Sequence, residues 1–361
     1  MPLFRVDATA AVAAALVTLP CLSADLLVPQ QFGTIQEAVN AAAGGDRVLV
    51  SAGTYHEQVN LSGKGIQLIG VDGAAVTAID GDNSRTVMVG NGEPSTCLVQ
   101  GFTIQNGRDS GTQSCGGVRI NNSSVHFEDC RFVSNRSVDG AFAGAGAFRS
   151  EFGNPKVSRC IFSGNSSVYE QSTLYHYQGG SILIEDCLFT DNSAGMGRAI
   201  QIQSEGGAVS AQVKNCIFRR NESRGERHCE VLGFNPNTVI TVEDCVTDSA
   251  KVSASNNPSL SGFAVAWNGA HITLRNISAC GFPALTDSIS VNAWSDGGGN
   301  TLTANCCPSD IDGDADVNPA DIILALMDFG DCLGCKSDLD GSGTTDSADI
   351  SLLLLDFGSC P

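Results

Sequence analysis

With 39 acidic side chains against 20 basic ones, the 361-residue chain carries a formal charge of −19, a balance that argues against nucleic acid as a partner. Beyond residue 24 no apolar run is long enough to span a bilayer, so the sequence predicts no transmembrane segment.

The chain opens with Arg5, the apolar run ATAAVAAALVTLP and then CLSA, the layout of a secretory signal removed after Ala24. Leu22 at the minus-three position and Asp7 near the start depart from the usual pattern, but the run is too short for a membrane helix. Residues 1–24 are therefore read as a signal peptide, and the mature protein as secreted or at the cell surface. TIQEAVNAA follows as a short helix. Thr34 and Glu37 form a capping box, and Ile35, Ala38, Val39 and Ala42 fall on one face.

From about residue 45 the chain repeats itself. VHFEDCRFVSN, PKVSRCIFSGN, ILIEDCLFTDN, AQVKNCIFRRN and ITVEDCVTDSA place Cys130, Cys160, Cys187, Cys216 and Cys245 at separations of 30, 27, 29 and 29 residues. A Phe stands two after the first four Cys (Phe132, Phe162, Phe189, Phe218), and an Asn five after them (Asn135, Asn165, Asn192, Asn221). Apolar and polar residues alternate around each Cys, which predicts strands with one face buried. A second apolar strand and Gly-rich turns fill the rest of each repeat, with no amphipathic helix. Strands and turns at this period predict an all-β fold, a right-handed parallel β-helix over 25–305. The Cys, Phe and Asn columns then become internal ladders stepped by about 4.8 Å. Phe102 in GFTIQNG and Ile277 in HITLRNI extend the Cys column at either end. The helix near residue 35 is the lid that an open coil edge requires.

The segment FGTIQEAVNAAAGGDRVLVSAGTYHEQVNL closely resembles the opening of secreted right-handed β-helix proteins of the pectate lyase and pectin methylesterase kind. The later repeats resemble the broader right-handed β-helix repeat family. The resemblance implies the fold, and it implies polysaccharide, acidic and pectin-like, as a ligand class.

Composition changes sharply near the C-terminus: from 309 onward there are 12 Asp, no Glu and one basic residue, Lys336. DIDGDADVNPADIILALMDFG and DLDGSGTTDSADISLLLLDFG are two copies of one unit, offset by 28 residues. Oxygen-bearing side chains occupy loop positions 1, 3, 5, 9 and 12. They are Asp310, Asp312, Asp314, Asn318 and Asp321 in the first loop, and Asp338, Asp340, Ser342, Asp346 and Asp349 in the second. Hard oxygen ligands at alternating positions, closing on a carboxylate as a helix begins, are what Ca²⁺ requires. A solvated acidic linker would not repeat that spacing, nor be followed twice by an apolar helix ending in DFG. The paired units resemble dockerin type I modules over 309–358. This resemblance implies one Ca²⁺ per loop and a cohesin-like partner selected partly by Pro319 and Ala320, and by Ser347 and Ala348. Ala315 stands where such loops usually have Gly, and Ser342 replaces an acidic ligand. Residues 306–361 are accordingly expected to form a small, helical, calcium-binding dockerin-like domain.

The ladder Cys are expected as free buried thiols, because stacked side chains run parallel rather than toward one another. Cys97 with Cys115 is a candidate bridge. In the tail, Cys306, Cys307, Cys332, Cys335 and Cys360 favour disulfide staples over a zinc site in an exported domain of this size.

The pairs Glu128–Asp129, Glu185–Asp186 and Glu243–Asp244 taken singly look like acid–base or metal sites. Set beside Arg159, Lys214 and Arg275 of the intervening coils, they alternate in sign, which places opposite charges as neighbours and marks them as structural. A second column, eleven residues before the Cys, reads Arg119, Arg149 and His176, and continues less regularly through Gln201 and Glu230. As an outward stripe, Arg119, Arg149, His176 and Gln201 form the candidate substrate-binding face, with Arg suited to uronate carboxylates. His176 and Glu230 are the candidate acid–base groups, against the competing reading of an ordinary solvated face. The function expected is a secreted protein that binds or degrades polysaccharide, as a lyase or glycoside hydrolase if it is an enzyme, attached through its calcium unit. The alternative is a non-catalytic adhesin or surface scaffold.

Overall fold

The structure, a computed structural model, describes residues 23–359 apart from 85, 112–113, 139–143, 168–171, 196, 224–228, 252–260, 283, 287–292, 304–306, 313–315, 333–334 and 341. Most of the expected signal peptide, and the expected ligand Asp314, lie outside these residues.

Alternating side chains give short strands, and the repeat stacks them in parallel. Ile104, Phe132, Phe162, Phe189 and Phe218 follow one another in register along one wall of the coil. Val99, Phe127, Val157, Ile184, Val213, Val242 and Leu274 do so along another. The result is the parallel β-solenoid that the repeat predicts. Successive Phe rings stack at 4.5, 4.6 and 5.4 Å between centroids and are fully buried. Each such ring contributes about 1.5–3 kcal/mol by burial. Cys130, Cys160, Cys187, Cys216 and Cys245 line the same core as thiols outside any disulfide. Burial drives the Cys160 and Cys216 thiols well above their ordinary range, so they behave as small apolar groups.

The Asn column is a buried hydrogen-bond ladder. Asn135, Asn165 and Asn192 each donate Nδ2 to the Oδ1 of the next Asn, at 3.1, 3.0 and 3.0 Å. The sharp corner ahead of each ladder Cys is made by one residue in the left-handed region: Asp129 at φ 52°, Arg159 at 50°, Asp186 at 55°, Asn215 at 51° and Asp244 at 55°. Asp and Asn accept that conformation at low cost, which explains why the position so often carries them.

The lid is α1 (Ile35–Ala41), with Ile35, Ala38 and Val39 buried and the Thr34–Glu37 capping box formed. Two further residues pin it. The Glu57 carboxylate accepts from the N–H groups of Ile35 and Gln36, each at 2.9 Å. Lys64 Nζ donates to the carbonyls of Val39, Asn40 and Ala42 at 2.7–2.9 Å. An anion at the N-terminus and a cation at the C-terminus both oppose the helix dipole.

At the C-terminal end, α2 (Pro319–Met327) and α3 (Ser347–Leu355) each follow an acidic loop. Ile311, Val317, Ala325, Leu339 and Leu353 form a core separate from that of the solenoid. Cys332 and Cys335 form a disulfide, and Cys280 and Cys307 are also disulfide-bonded. Cys97 and Cys115 do not form the candidate bridge: Cys97 belongs to the main core, whereas Cys115 packs with Ala145, Tyr175 and Tyr177 in a separate cluster. Among the described residues, no helix is long and apolar enough to cross a membrane.

Candidate functional site

The Glu-Asp pairs are placed by the corners just described, and their neighbours neutralise them. Arg159 binds Asp129 at 2.7 Å and also pairs with Glu128, while Lys156 meets Glu185 at 2.5 Å. Glu243 lies between Lys214 at 3.9 Å and Arg275 at 3.0 Å. Asn215 and Asn276 donate to Asp186 and Asp244 at 3.1 and 2.8 Å. Opposite charges thus alternate up the wall as the sequence predicts.

The second column departs from expectation. Strand pairing aligns Val89, Arg119, Arg149, Tyr175, Gln201 and Leu232 on the outer face of the sheet. His176 is displaced by one residue from the stripe. It sits between Ser150 and Ile202 on the core-facing column, fully buried, with Nδ1 2.8 Å from Ser150 Oγ. Burial holds its imidazole near pKa 4, so it is neutral at ordinary pH. Glu230 is also fully buried, where its Oε2 accepts from Asn221 Nδ2 at 3.2 Å and closes the Asn ladder. Neither candidate acid–base group reaches a ligand on the outer face.

Arg149 and Gln201 keep their outward column but are covered. Arg149 has no exposed surface; it pairs with Glu151 and lies 5.6 and 5.8 Å from the ring centroids of Tyr175 and Tyr177. The two Tyr occupy the outer columns and stack on each other at 5.4 Å. Tyr175 hydroxyl donates to Gln203, and Gln201 accepts from Ser172 at 3.1 Å. Of the predicted stripe, Arg119 alone keeps an exposed side chain, 45% accessible and 3.9 Å from Asp109.

Arg119 stands in a groove of about 350 Å³ with Asn60, Asn91, Asn121 and Glu151 on its walls. Asn91, Asn121 and Glu151 are in register on adjacent rungs, one column from Val89, Arg119 and Arg149. These residues escaped sequence reasoning because a polar residue at the end of a short strand looks like any turn residue. Their signal was the shared place two positions after Val89, Arg119 and Arg149.

The C-terminal loops gather carboxylates instead. Oxygens of Asp310, Asp312 and Asp321 lie within 4.8 Å of one another, as do those of Asp338, Asp340 and Asp349. Asp321 and Asp349 are fully buried, and each accepts three backbone N–H bonds: from Ile311, Asp312 and Asn318 in one loop, and from Leu339, Asp340 and Asp346 in the other. Burial, with Asp349 and Asp340 close by, raises the Asp338 carboxyl to about 6. Like charges held this close in a partly buried loop fit a hard divalent cation. Asn318 and Asp346 cap α2 and α3, and Ser342 Oγ donates to the Thr344 carbonyl at 3.0 Å.

The family model described as "Right handed beta helix region" matches residues 87–279. Solved structures similar to this chain include pectin methylesterase from carrot, at 12% identity over 81% of this chain and 90% of that one, with a TM-score of 0.38. Pectin methylesterase from Aspergillus niger, in deglycosylated form, has 15% identity over 79% and 85%, with a TM-score of 0.39. Pectin methylesterase from Yersinia enterocolitica has 12% identity over 73% and 94%, with a TM-score of 0.38. No curated protein matches the chain.

Proposed function

This chain belongs to the right-handed β-helix family, and from that premise we propose that it is an extracellular polysaccharide-binding protein, held to a complex or surface by its dockerin-like, calcium-dependent C-terminal unit. The observation that carries the binding role is the exposed groove in which Arg119 stands beside Asn91 and Asn121 on adjacent rungs. Amide side chains suit sugar hydroxyls, and a guanidinium suits a uronate carboxylate. Polar groups repeating at about 4.8 Å along a flat sheet suit an extended polymer better than a compact metabolite.

Three features support the remainder. The disulfides at Cys332–Cys335, Cys280 and Cys307 belong in an oxidising compartment, consistent with export. The converging carboxylates of the two loops would hold Ca²⁺, which on binding would cross-link each loop through its oxygens. Ile323, Leu326, Met327, Leu354 and Leu355 on the two helices are exposed, Met327 by 77% and Leu355 by 80%, and offer an apolar face to a cohesin-like protein.

Affinity electrophoresis through gels containing polygalacturonate or a neutral glucan tests the binding role. Retention by the acidic polymer alone is expected; equal mobility in both gels contradicts it. The burial of His176 and Glu230 favours a second reading, a non-catalytic adhesin or surface scaffold. Release of unsaturated or reducing ends from polygalacturonate would decide against that second reading.

A further inference from the structure

Building on the calcium reading of the C-terminal loops, we propose that the second loop has another role. Its carbonyl edge docks on a shelf made by Arg219 and Arg220 of the solenoid, so that cation binding in this loop and attachment of the C-terminal unit are one linked equilibrium.

Both arginines lie on the strand Ile217–Ser223, and Arg219 pairs in register with Thr190 of the preceding rung. Arg219 is 1% exposed although it carries a charge, which a protein tolerates only where other groups cover and pair the guanidinium. Its Nη2 donates to the Cys335 carbonyl at 3.3 Å. Arg220 is anchored on the solenoid by Asp191, at 3.0 Å through Nε and 2.7 Å through Nη2, and from there reaches the C-terminal unit. Nη1 donates to the Leu339 carbonyl, and Nη2 to the Asp340 carbonyl at 2.7 Å. Nearby, a Cβ on Gly343 would lie 2.4 Å from Ile161 Cδ1, so the loop rests flat against the solenoid.

Segment 338–340 therefore has two working edges. The carboxylates of Asp338 and Asp340 converge with that of Asp349 on one side, while the carbonyls of Leu339 and Asp340 face the arginines on the other. Without a cation, three carboxylates this close repel one another and the loop relaxes, which turns its carbonyls away from the shelf. With a cation bound, the loop is fixed in the shape the shelf accepts. The coupling is reciprocal: whatever docking adds to cation affinity, the cation adds to docking.

The test uses the full mature protein, with calcium titrated calorimetrically and overall dimensions followed by small-angle X-ray scattering. Expected results are a compact particle in calcium and a longer one after chelation. In Arg220→Gln, the longer particle should persist in calcium, and the second loop should bind calcium about tenfold more weakly, the worth of one hydrogen bond to a charged group, with the first loop unchanged. Asp321→Ala, which impairs the first loop, should still dock. Asp349→Ala, which leaves the solenoid untouched, should undock and gives the same reading should Arg220→Gln disturb the solenoid's circular dichroism. Calcium uptake by both loops with no change in dimensions on chelation overturns the linkage while leaving the calcium reading intact. No calcium uptake at all removes both.

Discussion

Asn221 donates through Nδ2 to the Glu230 carboxylate at 3.2 Å, so the amide ladder through the solenoid ends on a buried acid. Asn192, one rung below, donates to Phe162 O at 2.8 Å and to Asn221 Oδ1 at 3.0 Å, and accepts from Asn165. A ladder of this kind satisfies the carbonyls of Ile104, Phe132, Phe162 and Phe189 on successive coils, and a missing rung leaves several polar groups unpaired.

Asn192→Ala should therefore lower stability by about 1–3 kcal/mol for each buried polar group it leaves unpaired. Glu230→Ala should lose stability as well, yet retain polysaccharide binding. Urea unfolding midpoints together with a binding assay check both. Unchanged stability with lost binding in Glu230→Ala would return that residue to the ligand site.

His176 predicts a pH dependence. Burial lowers its folded-state pKa to about 4, below the usual value near 6.5, so the native state resists protonation. Its contribution is fully present above about pH 6.5 and is lost as pH falls from there toward 4, about 3 kcal/mol in all. Unfolding free energies measured between pH 7 and pH 4 should fall less steeply in His176→Asn. Parallel slopes for the two proteins would show that His176 is not the group responsible.

The solenoid thiols should be inert in the native state. Burial pushes Cys97 and Cys115 up to about 12, and Cys130, Cys160, Cys187, Cys216 and Cys245 are buried as well. Iodoacetamide at neutral pH should leave them unmodified, and label them after denaturation in guanidinium, as peptide mass mapping would show. Native labelling of a ladder Cys would contradict the packed core.

Removing calcium should unfold 309–358 while the solenoid persists, because the two have separate cores. Circular dichroism with excess chelator should lose its helical component and keep its β component. A spectrum indifferent to chelation would contradict the calcium reading.

The repeat made the solenoid legible because each Phe, Cys and Asn meets its counterpart one coil later, and sequence period and contact coincide. Glu57 and Lys64 were not legible as lid anchors, since nothing in GTYHEQV or LSGKG points to a helix that lies earlier in the chain. The stripe through Arg119 and Arg149 failed at the next rung for a definite reason. Counting back eleven residues from Cys187 gives His176, but strand pairing puts Tyr175 opposite Arg149. A one-residue slip in a strand exchanges its two faces, so the count placed a core residue on the surface. Burial of Arg149 was equally hidden, because outward direction on a sheet does not guarantee exposure.

The most direct test of the binding claim is the dissociation constant for oligogalacturonate of the wild-type protein against Arg119→Ala and Asn121→Ala, measured by calorimetry at fixed salt. Arg119 should account for about 10- to 100-fold of the affinity, the worth of a charge-assisted contact, with a smaller loss at Asn121. Wild-type affinity retained in Arg119→Ala, or no binding by the wild-type protein, would contradict the assignment of this groove.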